Sequence, residues 1–158
     1  MAKLTWLASA LLLFGVAYWG WSVLPETGVV VDTGLTGEAD GFGTRAEFVE
    51  LFIGLSVLVT AIYAGLACAV RRGYTGLLNL PNKDYWFAPE RRAASVRILE
   101  REFLWLLAGT NVLFASLAYD MARLTLDGRA VFGWATTVVY LVLLVLWGIR
   151  LDRRFRRH

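Results

Sequence analysis

Four largely apolar stretches constrain the chain more than any other feature. They run about Leu4–Leu24, Phe48–Val70, Phe103–Ala122 and Ala130–Ile149. Each is close to the ~20 residues that a helix needs to cross a hydrocarbon core of about 30 Å. A buried helix of a soluble protein is normally shorter and carries a polar stripe. Within 158 residues, 58% of them hydrophobic, four such blocks leave room for a single domain and for no soluble arrangement. The expected fold is all-α, an integral membrane four-helix bundle with a structured cytoplasmic loop.

The cations set the expected orientation. Lys3 stands at the amino end, seven Lys and Arg lie between the second and third blocks, and five lie from Arg150 onward. The other two connections hold Arg45, Arg123 and Arg129, so the split is 13 to 3. This positive-inside pattern predicts a multi-pass protein of a bacterial inner membrane with both termini and the middle loop in the cytoplasm. The net charge of +3 is thereby accounted for by topology and anionic phospholipid, and no nucleic acid is expected as a partner. The tryptophans agree: Trp6, Trp105 and Trp147 fall at expected inner ends, and Trp19, Trp21 and Trp134 at outer ends, as an aromatic belt requires. Tyr18, Trp19 and Trp21 are too bulky for a signal-peptide cleavage site, so the first block reads as a retained anchor. Cys68 has no second cysteine to pair with.

Between the blocks, the outer loop Pro25–Glu47 is rich in glycine and acidic residues, which predicts tight turns rather than a long helix or strand. The connection Arg123–Arg129 is short enough to force the last two helices into an antiparallel hairpin. In the cytoplasmic loop, Pro89 suits the first turn of a helix. Glu90 to Arg123 contains no proline and one glycine, so a helix should start in the cytoplasm and run without a break into the third span. Leu24-Pro25-Glu26-Thr27-Gly28 spells a sortase pentapeptide, but it follows the first span instead of preceding a last one, and is read as coincidence.

Two segments carry chemistry worth weighing. One is the cytoplasmic run Asn79, Leu80, Pro81, Asn82, Lys83, Asp84, Tyr85, Trp86, Phe87, Ala88, Pro89, Glu90, Arg91 and Arg92. The other is outer: Leu24-Pro25, then Gly37, Asp40, Gly41 and Phe42. Together they resemble the motifs of small bacterial membrane proteins whose domain also occurs in immunity and signalling proteins of the SdpI type. The resemblance implies a non-enzymatic receptor, immunity or interaction role, with a partner or ligand recognised through the loops. It covers about a fifth of the chain and is specific chiefly in its cytoplasmic run. One departure stands out: Asp32 occupies the position of that family's usual histidine and Val30 that of its proline. The one histidine is His158, so imidazole chemistry does not carry over.

The residues themselves read as a clamp. Tyr85 and Trp86 can anchor the loop in the headgroup region or in a groove of the bundle. Asn82, Lys83 and Asp84 can turn the chain. Arg91 and Arg92 sit at a helix amino end, where the macrodipole disfavours cations, which points to lipid phosphate or, more sharply, an anionic ligand or a partner's acidic segment. Within the spans, Asn111, Thr110, Ser116 and Thr60 read as hydrogen-bonding glue between helices, and Ala61 with Gly65 as a close-contact pair. Near the outer face, Glu47, Glu50 and Asp120 could form a carboxylate cluster for a cation or proton, against a plain ion pair with Arg123. No metal-ligand set, phosphate loop or nucleophile elbow is present in the sequence. No cofactor, metal or enzymatic activity is therefore expected. The expected partners are the bilayer and a membrane-protein partner or a second copy. The alternative roles are an accessory subunit stabilising a larger membrane complex and, third, a cation- or proton-handling protein.

Overall fold

The computed structural model describes residues 1–34, 37–76 and 78–156, and His158 lies outside them. The order is α1 (Ala2–Val23), β1 (Thr27–Thr33), β2 (Ala39–Thr44), α2 (Arg45–Arg72), α3 (Lys83–Trp86), α4 (Pro89–Asp127) and α5 (Trp134–Arg156). The fold is an all-α bundle, and α1, α2, α4 and α5 are each long and apolar enough to cross a membrane, the build of a multi-pass membrane protein. Met1, the end of α5 at Arg156 and the α3 turn lie at one end of the bundle, called here the terminal end, and β1 and β2 lie at the other, the hairpin end.

Local chemistry explains most boundaries. Thr44 and Glu47 open α2 with a reciprocal capping box: Thr44 Oγ1 accepts from the Glu47 amide at 3.1 Å, and Glu47 Oε2 from the Thr44 amide at 2.7 Å. Gly73, at φ 98°, closes α2 in the left-handed conformation that favours glycine. Arg45 lies 4.6 Å over the Trp21 ring and donates to the Trp21 carbonyl, satisfying the last turn of α1. Pro89 occupies the first turn of α4, as expected, and the helix then runs 39 residues, about 58 Å. That is nearly twice a hydrocarbon core, so α4 projects beyond it.

Two expectations about connections need correction. The 25–47 loop is a two-stranded antiparallel hairpin, β1 on β2, pairing Val29 with Gly43 and Val30 with Phe42 through an irregular register. The β-branched run Val29-Val30-Val31 outweighs the surrounding glycines because Val29 and Val30 find a buried seat against the bundle. The connection expected at Arg123–Arg129 is mostly helix. Arg123 pairs with Asp127 one turn on, and Thr125 Oγ1 accepts the Val30 amide at 2.9 Å, which extends α4 to Asp127. The turn is therefore Gly128–Gly133, and α5 starts at Trp134 rather than Ala130.

The core is built on α4. Buried residues of α1 fall on one stripe, Ser9, Leu13, Ala17 and Gly20, facing Ala115, Ala118 and Ala122 of α4 and Phe48 and Phe52 of α2. Gly20 is required there: a Cβ would lie 2.8 Å from the Phe48 ring. Ala61 and Gly65, expected as the close-contact pair, instead face outward, with nothing within 4 Å of a Cβ at Gly65. A second cluster at the terminal end joins Val70, Leu99, Phe103, Leu106 and Phe155.

Candidate functional site

Residues 78–88, between α2 and α4, fold back onto the bundle. Asn79 is exposed and Pro81 partly covered; Asn82 takes a left-handed turn at φ 53°, which asparagine tolerates, and starts the single turn of α3 through Lys83, Asp84, Tyr85 and Trp86. The two aromatics then separate. The indole Nε1 of Trp86 donates to the Phe155 carbonyl at 2.8 Å, and its ring lies edge-on to Phe155 at 5.0 Å. Phe155 is fully buried. Ser95 of α4 donates its hydroxyl to the Trp86 carbonyl at 2.7 Å, so Trp86 clasps the start of α4 to the end of α5. Of the two sites expected for these aromatics, Trp86 takes the groove. Tyr85 remains more exposed and carries Arg91 over its face at 4.0 Å.

The two arginines find partners within the chain. Arg92 donates to the Arg71 carbonyl at 2.9 Å, at the carboxyl end of α2, where the dipole welcomes a cation. The cost of a cation at the α4 amino end is offset there, and Glu90 supplies the acid that the first turn of α4 favours. Both arginines are thus positioned by contacts within the chain.

At the hairpin end the expected carboxylate cluster does not assemble. Glu47 is committed to the α2 cap, Glu50 is exposed, and Asp120 is buried under the α4–α5 turn. Asp120 accepts three backbone amides, from Val131 at 2.8 Å, Phe132 at 2.9 Å and Gly133 at 2.8 Å. Arg123 pairs with Asp127 instead of Asp120. Among the described residues no group of His, Cys, Asp and Glu could hold a metal. In the outer motif, Gly37 has φ 85°, Asp40 is exposed, and Gly41 pairs with Asp32 so closely that a Cβ would meet the Asp32 Cβ at 2.8 Å. These residues shape the hairpin.

Of the polar residues expected to join helices within the spans, Asn111 and Thr110 do so, whereas Ser116 donates to the Leu113 carbonyl of its own helix. Asn111 is buried at the meeting of three helices, accepting from Ser56 of α2 at 2.9 Å and donating to Ser9 of α1 at 3.4 Å. Thr110 shares a 2.8 Å hydrogen bond with Tyr140 of α5.

Sequence reasoning missed Glu102. Its side chain is 3% exposed. One oxygen accepts from Trp147 Nε1 at 3.1 Å; the other faces guanidinium nitrogens of Arg150 at 3.4 Å, Arg101 at 3.5 Å and Arg154 at 3.6 Å. Read linearly it is one acid in a basic loop. Its partners Trp147, Arg150 and Arg154 recur at helical spacing on one face of α5, and that spacing was the available signal.

Comparison with known protein families, with characterised proteins and with solved structures finds no match.

Proposed function

We propose that this chain is a non-enzymatic bacterial membrane protein of the receptor, immunity or interaction type, with both termini in the cytoplasm and the hairpin outside. The supporting observation is how the hairpin is mounted. Val29 and Val30 of β1 are buried and the Val30 amide is held by Thr125, so one strand is fixed to α4. The other strand presents Phe42, 65% exposed, beside the exposed Asp40. A fixed strand backing an exposed aromatic and an acidic neighbour is the arrangement that recognition of a partner uses, since little ordering entropy remains to be lost on binding. The resemblance of the 79–92 run to SdpI-type proteins points the same way. The outer carboxylates lend no support to cation handling, because Glu47 and Asp120 are already committed to backbone amides.

A second reading, an accessory subunit, is favoured by α5, whose Val138, Val142, Val145 and Leu146 are all more than half exposed. Photo-crosslinking from position 42 in intact cells, followed by gentle detergent extraction and a native gel, separates the two. The receptor reading predicts a discrete adduct from position 42 on a protein migrating alone or as a small oligomer. Comigration with a large complex, with no adduct from position 42, would support the subunit instead.

A further inference from the structure

The side of the bundle between α4 and α5 combines three features that no residue role described above uses together. A groove of about 330 Å³ opens there, within the roughly 300–1,000 Å³ range of small-molecule sites. Trp105 and Gly109 of α4 and Val139, Tyr140 and Leu143 of α5 line it. A second hollow, of about 450 Å³, is lined by Leu146, Ile149, Arg150, Arg153 and Arg154. Positions 139, 143, 146, 150 and 153 recur at three and four residues, so both hollows share one face of α5. From Val139, in the wall of the groove, to Arg150 the helix rises about 16 Å, close to the roughly 15 Å of hydrocarbon in one leaflet.

Charge completes the pattern. Arg101, Arg150 and Arg154 converge on one Glu102 oxygen, and Arg153 lines the same hollow. One carboxylate cannot neutralise this many guanidiniums. Arg150 and Arg101 keep half or more of their surface exposed. Glu102 orients the cluster while leaving it cationic, and guanidinium groups suit phosphate oxygens bidentately. Trp105 stands between groove and cations, as an interfacial aromatic does.

We propose that this face binds one anionic phospholipid of the surrounding membrane, its acyl chain in the α4–α5 groove and its phosphate on Arg150, Arg153 and Arg154. The binding does not depend on the receptor reading or on which end of the bundle faces the cytoplasm.

The test is native mass spectrometry of the full chain, extracted in mild detergent and equilibrated with equal amounts of phosphatidylglycerol and phosphatidylcholine. Wild type should retain one phosphatidylglycerol with about tenfold preference, the equivalent of ~1.4 kcal/mol. Arg150→Gln with Arg153→Gln should abolish that preference while leaving the Arg154–Glu102 contact in place. Val139→Trp, on an exposed wall that tolerates bulk, should fill the groove and lower retention by a similar factor without altering any charge. Equal retention of the two lipids by wild type would overturn the proposal. So would retention unchanged by Val139→Trp, which would leave the groove unused. Displacement of the lipid by millimolar inorganic phosphate would mean a soluble anion site, and occupation of the groove by a helix of a second copy would mean a protein interface; each contradicts it.

Discussion

The trio α1, α2 and α4 and the single helix α5 are equally able to span a membrane, yet different chemistry holds them. The trio meets through small residues and aromatics: Ala17 and Gly20 of α1, Ala115, Ala118 and Ala122 of α4, and Phe48 and Phe52 of α2. In lipid, apolar surface gives no drive for helices to associate, so close van der Waals contact must supply it, and small residues permit that contact. Among the described residues, α5 contributes only Phe155 to the buried set. It is fastened by polar rungs instead. Asp120 holds the turn before it, Thr110 meets Tyr140, Glu102 meets Trp147, and Trp86 meets the Phe155 carbonyl. Tyr140, Trp147 and Arg154 are seven residues apart, so the rungs follow one face. Hydrogen bonds can hold a helix without close packing, which leaves the groove beside α5 open.

The largest effect should come from the packed side. Phe48→Ala removes a fully buried ring that touches Gly20 and Phe52, and should lower stability by about 3–5 kcal/mol in a detergent denaturation series. A loss below ~1 kcal/mol would mean that the trio is not close-packed and would erase the contrast with α5. Asp120→Ala should follow, at about 2–3 kcal/mol, because three amides of the α4–α5 turn lose a charged acceptor. Its effect should be local: proteolysis should quicken at Gly128–Gly133 while the sites around α1 and α2 stay protected.

Trp86→Ala comes next. It should cost about 2 kcal/mol through the lost ring burial and indole hydrogen bond, with faster cleavage between Gly73 and Ala88. An unchanged melting profile would make the clasp superficial. Tyr140→Phe should be the mildest, about 0.6 kcal/mol, the average for hydrogen bonds between membrane helices. A Thr110→Val and Tyr140→Phe double-mutant cycle reads that coupling directly. If the rung proves worth several times more, α5 is bound more tightly than its sparse packing implies.

Much of this architecture is legible in the sequence because the bilayer imposes length. Four spans, the unbroken run from Glu90 to Arg123 and the proline at the start of α4 all follow from composition and spacing. Asn111 stood out because polar groups are few in the spans. The hairpin was concealed by its glycines: strand formation there depends on a buried seat for Val29 and Val30 that α4 provides from far along the chain. By depth alone Asp120 is one of several acids, whereas its role is fixed by amides 11 to 13 residues later in the chain, a distance no helical or capping rule covers. Glu102 was hidden by its neighbours, since its partners lie 45 to 52 residues away on α5. Arg92 likewise depended on the end of α2 lying beside the start of α4.

The contrast between a packed trio and a laced α5 is tested most directly by amide hydrogen exchange of the full chain in lipid nanodiscs, comparing wild type with Asp120→Ala. If polar rungs hold α5, the substitution should accelerate exchange across Gly128–Arg156 and leave α1, α2 and the buried stretch of α4 around Asn111 at wild-type protection. A rise spread evenly over all four long helices would contradict the account, because it would make α5 part of the same cooperative unit as the trio.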